Sequence, residues 1–339
     1  MRIVTFGELM LRLAPPGYER FVQASSLGMT FGGGEANVAV SLANYGMNAA
    51  FVTKLPQHEI GQAALNSLRK YGVDTVGIVR GGKRLGIYYL EKGASQRGSK
   101  VIYDRAESAF ALSERGDYDW AVLLNGASCF HFTGITPALG GELPAICMDA
   151  LKCAKKLGIT TSCDLNYRGN LWTREQAGKV MGELMPMVDV CVCNEEDAAD
   201  VFGIRAADTS VHAGKLSREG YIGVARELTA RFGFKSVAIT LRESISASDN
   251  NWGALLYTDE KVYFSKQYPV HIVDRVGGGD SFSGGLIYAT LSGFDTQAAL
   301  EFAVAASCLK HSVEGDYNLV SAAEVQRLAG GDASGRVRR

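Results

Sequence analysis

The sequence predicts an α/β protein with a mostly parallel central sheet between helices, on three observations. First, short and nearly continuous apolar runs, typical of strands covered on both faces, occur at residues 121–124, 129–133, 159–163, 188–193 and 236–240. Second, helical spacing of apolar residues separates these runs, at 144–157, 174–185 and 218–232. Third, glycine clusters precede the helical patterns at 36–43 and 282–291. This alternation predicts a doubly wound sheet, which binds ligands at the carboxyl ends of its strands.

Composition limits the class of protein. A chain of 339 residues is longer than a single small domain, so we expect one large α/β domain with an appendage, or two domains. Its 35 basic and 36 acidic residues indicate neither a nucleic-acid surface nor a membrane surface. Seven scattered cysteines favour a reducing cytoplasm, and Cys191 and Cys193 lie in an apolar strand pattern that favours burial over zinc binding.

Two segments predict a small second sheet. Residues 3–6 read as a first strand rather than a signal peptide, and the chain then leaves the main sheet. Extended runs at 85–91 and 100–105 are separated by a glycine-containing loop, which is typical of a hairpin. We expect these parts to form a β lid that excludes water from the site. The predicted division is a core of 1–8, 31–82 and 112–330, a lid of 9–30 and 83–111, and a tail of 331–339.

The stretch 273–286 is the strongest candidate for chemistry. Gly277, Gly278 and Gly279 fall where a strand pattern gives way to a helix, and the free amides of a first helical turn bind anions. Asp280 would repel such an anion unless it is a general base that takes a proton from an attacking hydroxyl. The alternative is that Asp280 caps a helix that begins at Ser281.

A second glycine cluster, Gly32, Gly33 and Gly34, also precedes a helix, which is predicted to end near Gly46. Two such loops suit a phosphoryl transfer between two substrates, because each ligand needs close contact with backbone. The alternative is a tight start of a helix with no ligand.

Polar residues follow three of the predicted strands, at 164–168, 194–197 and 240–243. Because the carboxyl ends of parallel strands meet at one edge of a sheet, these residues are candidates for the same site. Loop charges are also commonly just solvated.

The two glycine stretches, 32–39 and 274–282, resemble the two signatures of the ribokinase-like (PfkB) carbohydrate kinases, in the same order and at about the same separation. The resemblance covers essentially the whole chain. Within the family, residues 4–8, 33–38, 103–105, 163–168 and 309–311 are similar to those of kinases that act on 2-keto-3-deoxygluconate.

The resemblance implies a ribokinase-like three-layer sandwich with a β lid that often makes a dimer contact, and hence a homo-oligomer. It implies ATP and Mg²⁺, phosphorylation of 2-keto-3-deoxygluconate at its 6-hydroxyl, Asp280 as the base and the amides of Gly277, Gly278 and Gly279 as the anion hole. The implied sugar-acid residues are Gly33, Gly34, Asn37, Tyr89, Tyr103, Arg105, Arg168 and, more weakly, Asp316. The residues implied near the nucleotide or metal are Asn166, Arg168, Asn194, Thr240, Arg242, Gly277 and Gly279.

Departures from the family pattern leave some roles open. Where many relatives have a metal-linked Asn-x-x-Glu, this chain has Asn194 followed by Asp197, so the candidate metal ligand is a shorter carboxylate. Arg105 and Arg168 suit a carboxylate, because arginine offers forked donors, although Arg168 also suits ATP phosphates. Another PfkB sugar kinase, of fructokinase or ribokinase type, and a non-catalytic sugar sensor remain alternatives.

Overall fold

The computed structural model describes residues 1–194, 196–207 and 217–332. The strands are β1 (Arg2–Phe6), β2 (Met10–Ala14), β3 (Gly28–Gly32), β4 (Asn48–Val52), β5 (Lys54–Leu55), β6 (Val79–Arg80), β7 (Ile87–Glu91), β8 (Lys100–Asp104), β9 (Ala127–Thr133), β10 (Thr160–Asp164), β11 (Val190–Cys193), β12 (Ser236–Ser244), β13 (Asp249–Thr258), β14 (Lys261–Phe264) and β15 (Tyr268–His271). The helices are α1 (Gly34–Asn44), α2 (Glu59–Arg69), α3 (Trp120–Leu123), α4 (Ile135–Ala138), α5 (Leu143–Lys156), α6 (Arg174–Leu184), α7 (Asp197–Phe202), α8 (Arg218–Phe232), α9 (Gly278–Leu291), α10 (Thr296–Lys310) and α11 (Ala322–Ala329).

The main sheet confirms the predicted doubly wound architecture. Its strands run in the order β14-β13-β12-β11-β10-β9-β1-β4, with β15 paired to β13. Neighbours from β4 to β12 are parallel. The strands β13, β14 and β15 pair antiparallel and form one edge. The sheet is therefore mostly parallel, as predicted.

Helices cover both faces of this sheet, which gives three layers. Strand β1 shows that both faces are covered. Successive side chains of a strand point to opposite faces, and Ile3 and Val4 are both fully buried. Val4 packs in the cluster that includes Leu151 and Met181, from α5 and α6. Ile3 packs in the cluster that includes Val38, from α1. Both faces of the central strands are thus removed from water, which explains their continuous apolar runs.

The predicted lid is a separate four-stranded sheet in the order β3-β2-β7-β8. β2 pairs parallel with β7 and antiparallel with β3, and β7 and β8 form the predicted hairpin. All four strands fall within the predicted lid segments except the end of β3, which runs to Gly32.

Two sequence-based expectations need comment. Residues 121–124, predicted as a strand, belong mainly to the short helix α3, because Asp119 caps it and accepts hydrogen bonds from the amides of Ala121 and Val122. Cys191 and Cys193 are buried and free, as predicted. Within the described ranges, no helix is both long and apolar enough to span a bilayer. Most of the predicted tail, residues 333–339, lies outside the described part.

Candidate active site

A cavity of about 550 Å³ opens between the lid and the carboxyl ends of the main strands. Both glycine clusters reach it, and so do polar residues at the ends of β10 and β11. Thr240 and Arg242 also reach it, but they lie within β12, which continues to Ser244, and not in a loop after the strand as predicted. The predicted site residues on its wall are Gly33, Gly34, Asn37, Tyr103, Arg105, Asn166, Arg168, Asn194, Asp197, Thr240, Arg242, Gly277, Gly278, Gly279, Asp280 and Asp316. One predicted residue, Tyr89, is not on it. The fold thus gathers segments that are up to about 280 residues apart in the chain.

The C-terminal glycine cluster forms the first turn of α9. Gly277 is the N-cap residue at φ 84°, and a Cβ there would lie 2.1 Å from the carbonyl oxygen of Asp316. A Cβ on Gly278 would lie 2.6 Å from the His311 ring, whereas the space beside Gly279 is open. The helix therefore presents bare backbone to the cavity at its positive end, which suits an anion.

Asp280 is the third residue of α9, not its cap. The predicted alternative, that Asp280 caps a helix beginning at Ser281, is therefore wrong, since the helix begins at Gly278 with Gly277 as its cap. The Asp280 side chain is half-buried on the cavity wall and accepts a 2.7 Å hydrogen bond at Oδ2 from Nδ2 of Asn37. Burial raises the pKa of Asp280 to about 6, against the opposing effects of Asn37 and Arg168. A carboxylate with this pKa is a competent general base near neutral pH.

The N-terminal glycine cluster precedes α1, which carries Asn37, and buried contacts hold this cluster in place. A Cβ on Gly33 would lie 2.0 Å from the carbonyl oxygen of Glu8, so glycine is required there for packing alone. The buried carboxylate of Glu35 accepts hydrogen bonds from the amide and hydroxyl of Thr133 and from the hydroxyl of Thr136. Burial raises the pKa of Glu35 to about 7. These contacts fix the start of α1, and with it Asn37, against the end of β9.

The lid side of the cavity carries a buried ion pair. Arg105 donates through Nε to Oε2 of Glu8 over 2.8 Å, and its Nη2 contacts the same oxygen. Ser108 donates to the other oxygen of Glu8 over 2.5 Å. Tyr88 and Tyr103 face each other across β7 and β8, with ring centroids 6.2 Å apart. The predicted sugar-binding residue Arg105 therefore reaches the cavity with its charge already balanced.

Tyr88 takes the position that the sequence suggested for Tyr89. Successive side chains of a strand point to opposite faces, so only one of the two can face the cavity. Tyr88 is buried on the cavity wall and donates to Oδ2 of Asp316 over 2.5 Å. Tyr89 lies on the other face of β7, with its ring centroid 6.5 Å from that of Phe21. The placement of Tyr89 in the site is therefore wrong.

A buried charge cluster lies behind the anion loop, and sequence reasoning missed most of it. Arg12 from β2 donates to Oδ2 of Asp274 over 2.5 Å and to Oδ1 of Asp316 over 2.8 Å. Lys310, which is fully buried, donates to the backbone carbonyl of Val313 over 3.0 Å. Burial lowers the pKa of Lys310 and raises that of Asp316. The predicted sugar ligand Asp316 is thus also the link between lid and core.

Two of the residues predicted for the nucleotide reach the cavity from the antiparallel edge of the main sheet. Thr240 and Arg242 come from β12, beside Asn250 and Trp252 of β13. Asn166 has φ 38°, a left-handed conformation that asparagine tolerates.

Asp197 is buried, and its carboxylate accepts hydrogen bonds from two loops. Its Oδ1 accepts from the amide of Tyr167 over 3.0 Å, and its Oδ2 accepts from the amide of Asn194 over 2.9 Å. Asn194 in turn accepts from the amides of Glu196 and Asp197. Among the residues that the structure describes, no group of three or more His, Cys, Asp and Glu is arranged to hold a metal. Both carboxylate oxygens of Asp197 are thus already used by amides of the neighbouring loops, and its role as a metal ligand stays a prediction.

Sequence reasoning also missed Glu8 and Arg275, which line the cavity. Both residues lie inside stretches that carry the family resemblance, Glu8 in 4–8 and Arg275 in 274–282, but neither was given a role. Their position within these stretches was the available signal.

Helices on both faces of the sheet, a β lid and a glycine-rich helix start beside Asp280 are the features expected of a small-molecule kinase. The chain belongs to the pfkB family of carbohydrate kinases, whose model matches residues 1–323. It is therefore a sugar kinase.

Solved and curated relatives extend over nearly the whole chain. The structure of 2-dehydro-3-deoxygluconokinase from Thermotoga maritima is 54% identical, with a TM-score of 0.94 over 98% of this chain and all of that one. The 2-dehydro-3-deoxygalactonokinase of Haloferax volcanii is 35% identical over 332 residues, 98% of each chain. The 2-dehydro-3-deoxygluconokinase of Thermoproteus tenax is 28% identical over 320 residues, 93% of this chain and 89% of its own.

Proposed function

We propose that the protein phosphorylates 2-keto-3-deoxygluconate at its 6-hydroxyl, with ATP as the donor, to give 2-keto-3-deoxy-6-phosphogluconate and ADP. The observation that carries the proposal is the 54% identity, over 98% of the chain, to the Thermotoga maritima kinase of this sugar acid. The names 2-keto-3-deoxygluconate and 2-dehydro-3-deoxygluconate denote the same compound.

In the proposed reaction, Asp280 removes the proton of the 6-hydroxyl as that oxygen attacks the γ-phosphorus. The bond from the γ-phosphorus to the bridging oxygen breaks, and ADP leaves. The amides at Gly277, Gly278 and Gly279 stabilise the charge on the transferred phosphoryl group. Asn37 holds the carboxylate of Asp280 in place through its 2.7 Å hydrogen bond. The lid keeps water from competing with the sugar hydroxyl.

Recognition of an acid needs a cation whose charge is not already balanced. Arg105 is paired with Glu8, whereas Arg168 makes no ion pair within the described residues and donates only to the carbonyl of Tyr167. Arg168 lines the cavity close enough to lower the pKa of Asp280. We therefore assign the substrate carboxylate to Arg168, and the sugar hydroxyls to Asn37, Tyr103 and the neighbouring Gly33 and Gly34.

Kinases of this family use ATP with Mg²⁺. Asp164 lines the cavity, and burial, with smaller contributions from Asp197 and Asp280, raises its pKa well above the usual range. Asp164 would hold a largely hydrated Mg²⁺ ion at this wall, and the ion would offset the negative charge of the ATP phosphates. Asn166, Asn194, Thr240 and Arg242 are proposed to lie around the nucleotide.

A second candidate substrate is 2-keto-3-deoxygalactonate, favoured by the 35% identity to the Haloferax volcanii kinase. The two acids differ at one hydroxyl, so the choice depends on hydrogen bonds rather than on charge.

The test is a panel of kcat/KM values for both sugar acids, fructose and ribose, measured with the wild-type protein and with Asp280→Asn. We expect the gluconate-derived acid to be preferred and the Asn variant to lose about 10²–10⁴-fold in kcat, the usual contribution of a general base. Asp259→Asn is the matched control, because Asp259 is exposed in a turn at φ 48°, which asparagine also adopts. A preference for a neutral sugar would contradict the proposed substrate, and full turnover by Asp280→Asn would contradict the proposed base.

We also propose a cytoplasmic homo-oligomer. All seven cysteines are free, which suits a reducing compartment. Strand β8 is exposed along its whole length at the edge of the lid, where Val101 and Ile102 leave 41% and 49% of their surface open. An apolar edge strand of this kind favours pairing with a second copy.

A further inference from the structure

Arg275 stands two residues before Gly277, the N-cap of α9, and its side chain reaches the cavity. Its backbone is held on both sides. Asp274 accepts from the amide of Val276 over 3.1 Å, and the carbonyl of Arg275 itself accepts from the amide of Gly278 over 3.4 Å. The guanidinium therefore leaves the chain at a fixed point beside the amides that face the cavity.

The charge of Arg275 is not balanced by a neighbour. Over residues 1–194, 196–207 and 217–332, no carboxylate forms an ion pair with it, whereas Arg12 and Arg105 are both paired. Burial lowers the pKa of Arg275, and the positive charge of Arg242 lowers it further. Arg275 therefore brings a positive charge without a carboxylate partner in those ranges to the cavity wall, and such a charge favours an anion there.

We propose that Arg275 binds the polyphosphate of the nucleotide at the phosphoryl group that is transferred. Arg242, which reaches the same side of the cavity from β12, binds the same polyphosphate. Arg275 then acts together with the amides of α9. This inference rests on the ATP-dependent transfer proposed above, but not on which sugar accepts the phosphoryl group.

The chemistry explains why a charged, forked donor is suited to this position. As the bond to ADP breaks and the sugar oxygen approaches, negative charge is spread over the three peripheral oxygens of the phosphoryl group. Arginine binds two such oxygens at once with donors in one plane, and lysine offers only a point charge. Asp280 holds the proton from the sugar, and Arg275 takes part in no proton transfer.

The experiment compares Arg275→Gln, Arg275→Lys and a surface control, Arg327→Gln, in the full-length protein. Arg327 lies exposed on α11, away from the cavity. Steady-state kinetics with saturating sugar gives kcat and the KM for ATP. Titration calorimetry without sugar gives the Kd for ATP and for ADP. Thermal melting verifies that each variant is folded.

We expect Arg275→Gln to lower kcat by about 10²-fold or more, in the range seen when one preorganised donor to a reacting oxyanion is removed. It should also weaken ATP binding more than ADP binding, since ADP lacks the phosphoryl group in question. Arg275→Lys should fall between the wild type and Arg275→Gln, and Arg327→Gln should match the wild type.

Three results would overturn the inference. The first is a kcat for Arg275→Gln within about threefold of the wild type. The second is an equal loss of affinity for ATP and ADP. The third is a folded Arg275→Lys variant with wild-type kcat and wild-type ATP affinity. This third result decides the question if Arg275→Gln does not fold. If the wild-type protein phosphorylates a different sugar, the kcat values of the Arg275 variants are measured with that sugar instead. If it phosphorylates none, the proposed function fails, while the two Kd values still test Arg275.

Discussion

Arg12, on a lid strand, donates a 2.5 Å hydrogen bond to Asp274, which stands three residues before Gly277, the N-cap of α9. The same guanidinium reaches Asp316, so one buried cation joins the lid to both segments behind the glycine turn. Its position between Asp274 and Asp316 gives each of these buried carboxylates a positively charged partner, which makes their burial tolerable. The lid is therefore tied at its base to the glycine turn that begins α9.

Removing this cation should cost more stability than removing an exposed one. Arg12→Met preserves much of the side-chain volume but leaves Asp274 and Asp316 buried without their partner, so we expect a loss of about 3–5 kcal/mol in the free energy of unfolding, measured with urea. The deficit should shrink as the pH falls, because protonation neutralises the unpaired carboxylates. Arg84→Met is the control, since Arg84 pairs with Asp104 on the lid surface, where water screens the pair and little stability depends on it. Equal losses for the two variants would contradict the role assigned to Arg12.

The fold was predictable from the sequence because its signals are local. Buried parallel strands need continuous apolar runs, which the sequence shows directly. Glycines before a helical pattern predict a helix start that can bind an anion, so the segment with Gly277 and Asp280 could be identified from the sequence. The charge cluster was not predictable in the same way. Arg12 and Asp316 are 304 residues apart, and nothing in either neighbourhood specifies that they meet.

The two errors at the level of elements also have physical causes. Alternation along β7 fixes that Tyr88 and Tyr89 point to opposite faces, but two adjacent tyrosines of equal polarity do not show which face meets the cavity. In the segment 121–124, an apolar run of four suits a strand or a helix equally, and the cap at Asp119 decides for the helix.

The pH dependence of the reaction should report Asp280. The base must be ionised to accept a proton, and burial raises its pKa to about 6, so kcat/KM should fall about tenfold per pH unit below that value and level off above it. Asn37 donates to the ionised carboxylate and lowers its pKa, so Asn37→Ala should move the midpoint upward. Asn66→Ala is the control, because Asn66 is exposed on α2 and contacts only Gln62 through its side chain in the described residues. An unchanged or lowered midpoint in Asn37→Ala would show that a different group controls the profile.

The exchange of roles between Tyr88 and Tyr89 is tested by deleting one hydroxyl at a time. Tyr88→Phe removes the donor to the buried carboxylate of Asp316, a hydrogen bond to a charged group that contributes about 1.5–3 kcal/mol. Because Asp316 and Tyr88 lie together on the wall of the cavity, part of that loss should appear in substrate binding, and we expect the KM for the sugar acid to rise about tenfold, or about 1.4 kcal/mol. Tyr89→Phe is the internal control, since the side chain contacts Phe21 on the far face of the strand, and its KM should stay within about twofold of the wild type. The reverse order of effects would restore Tyr89 to the site and would mean that the lid strand presents its other face to the substrate.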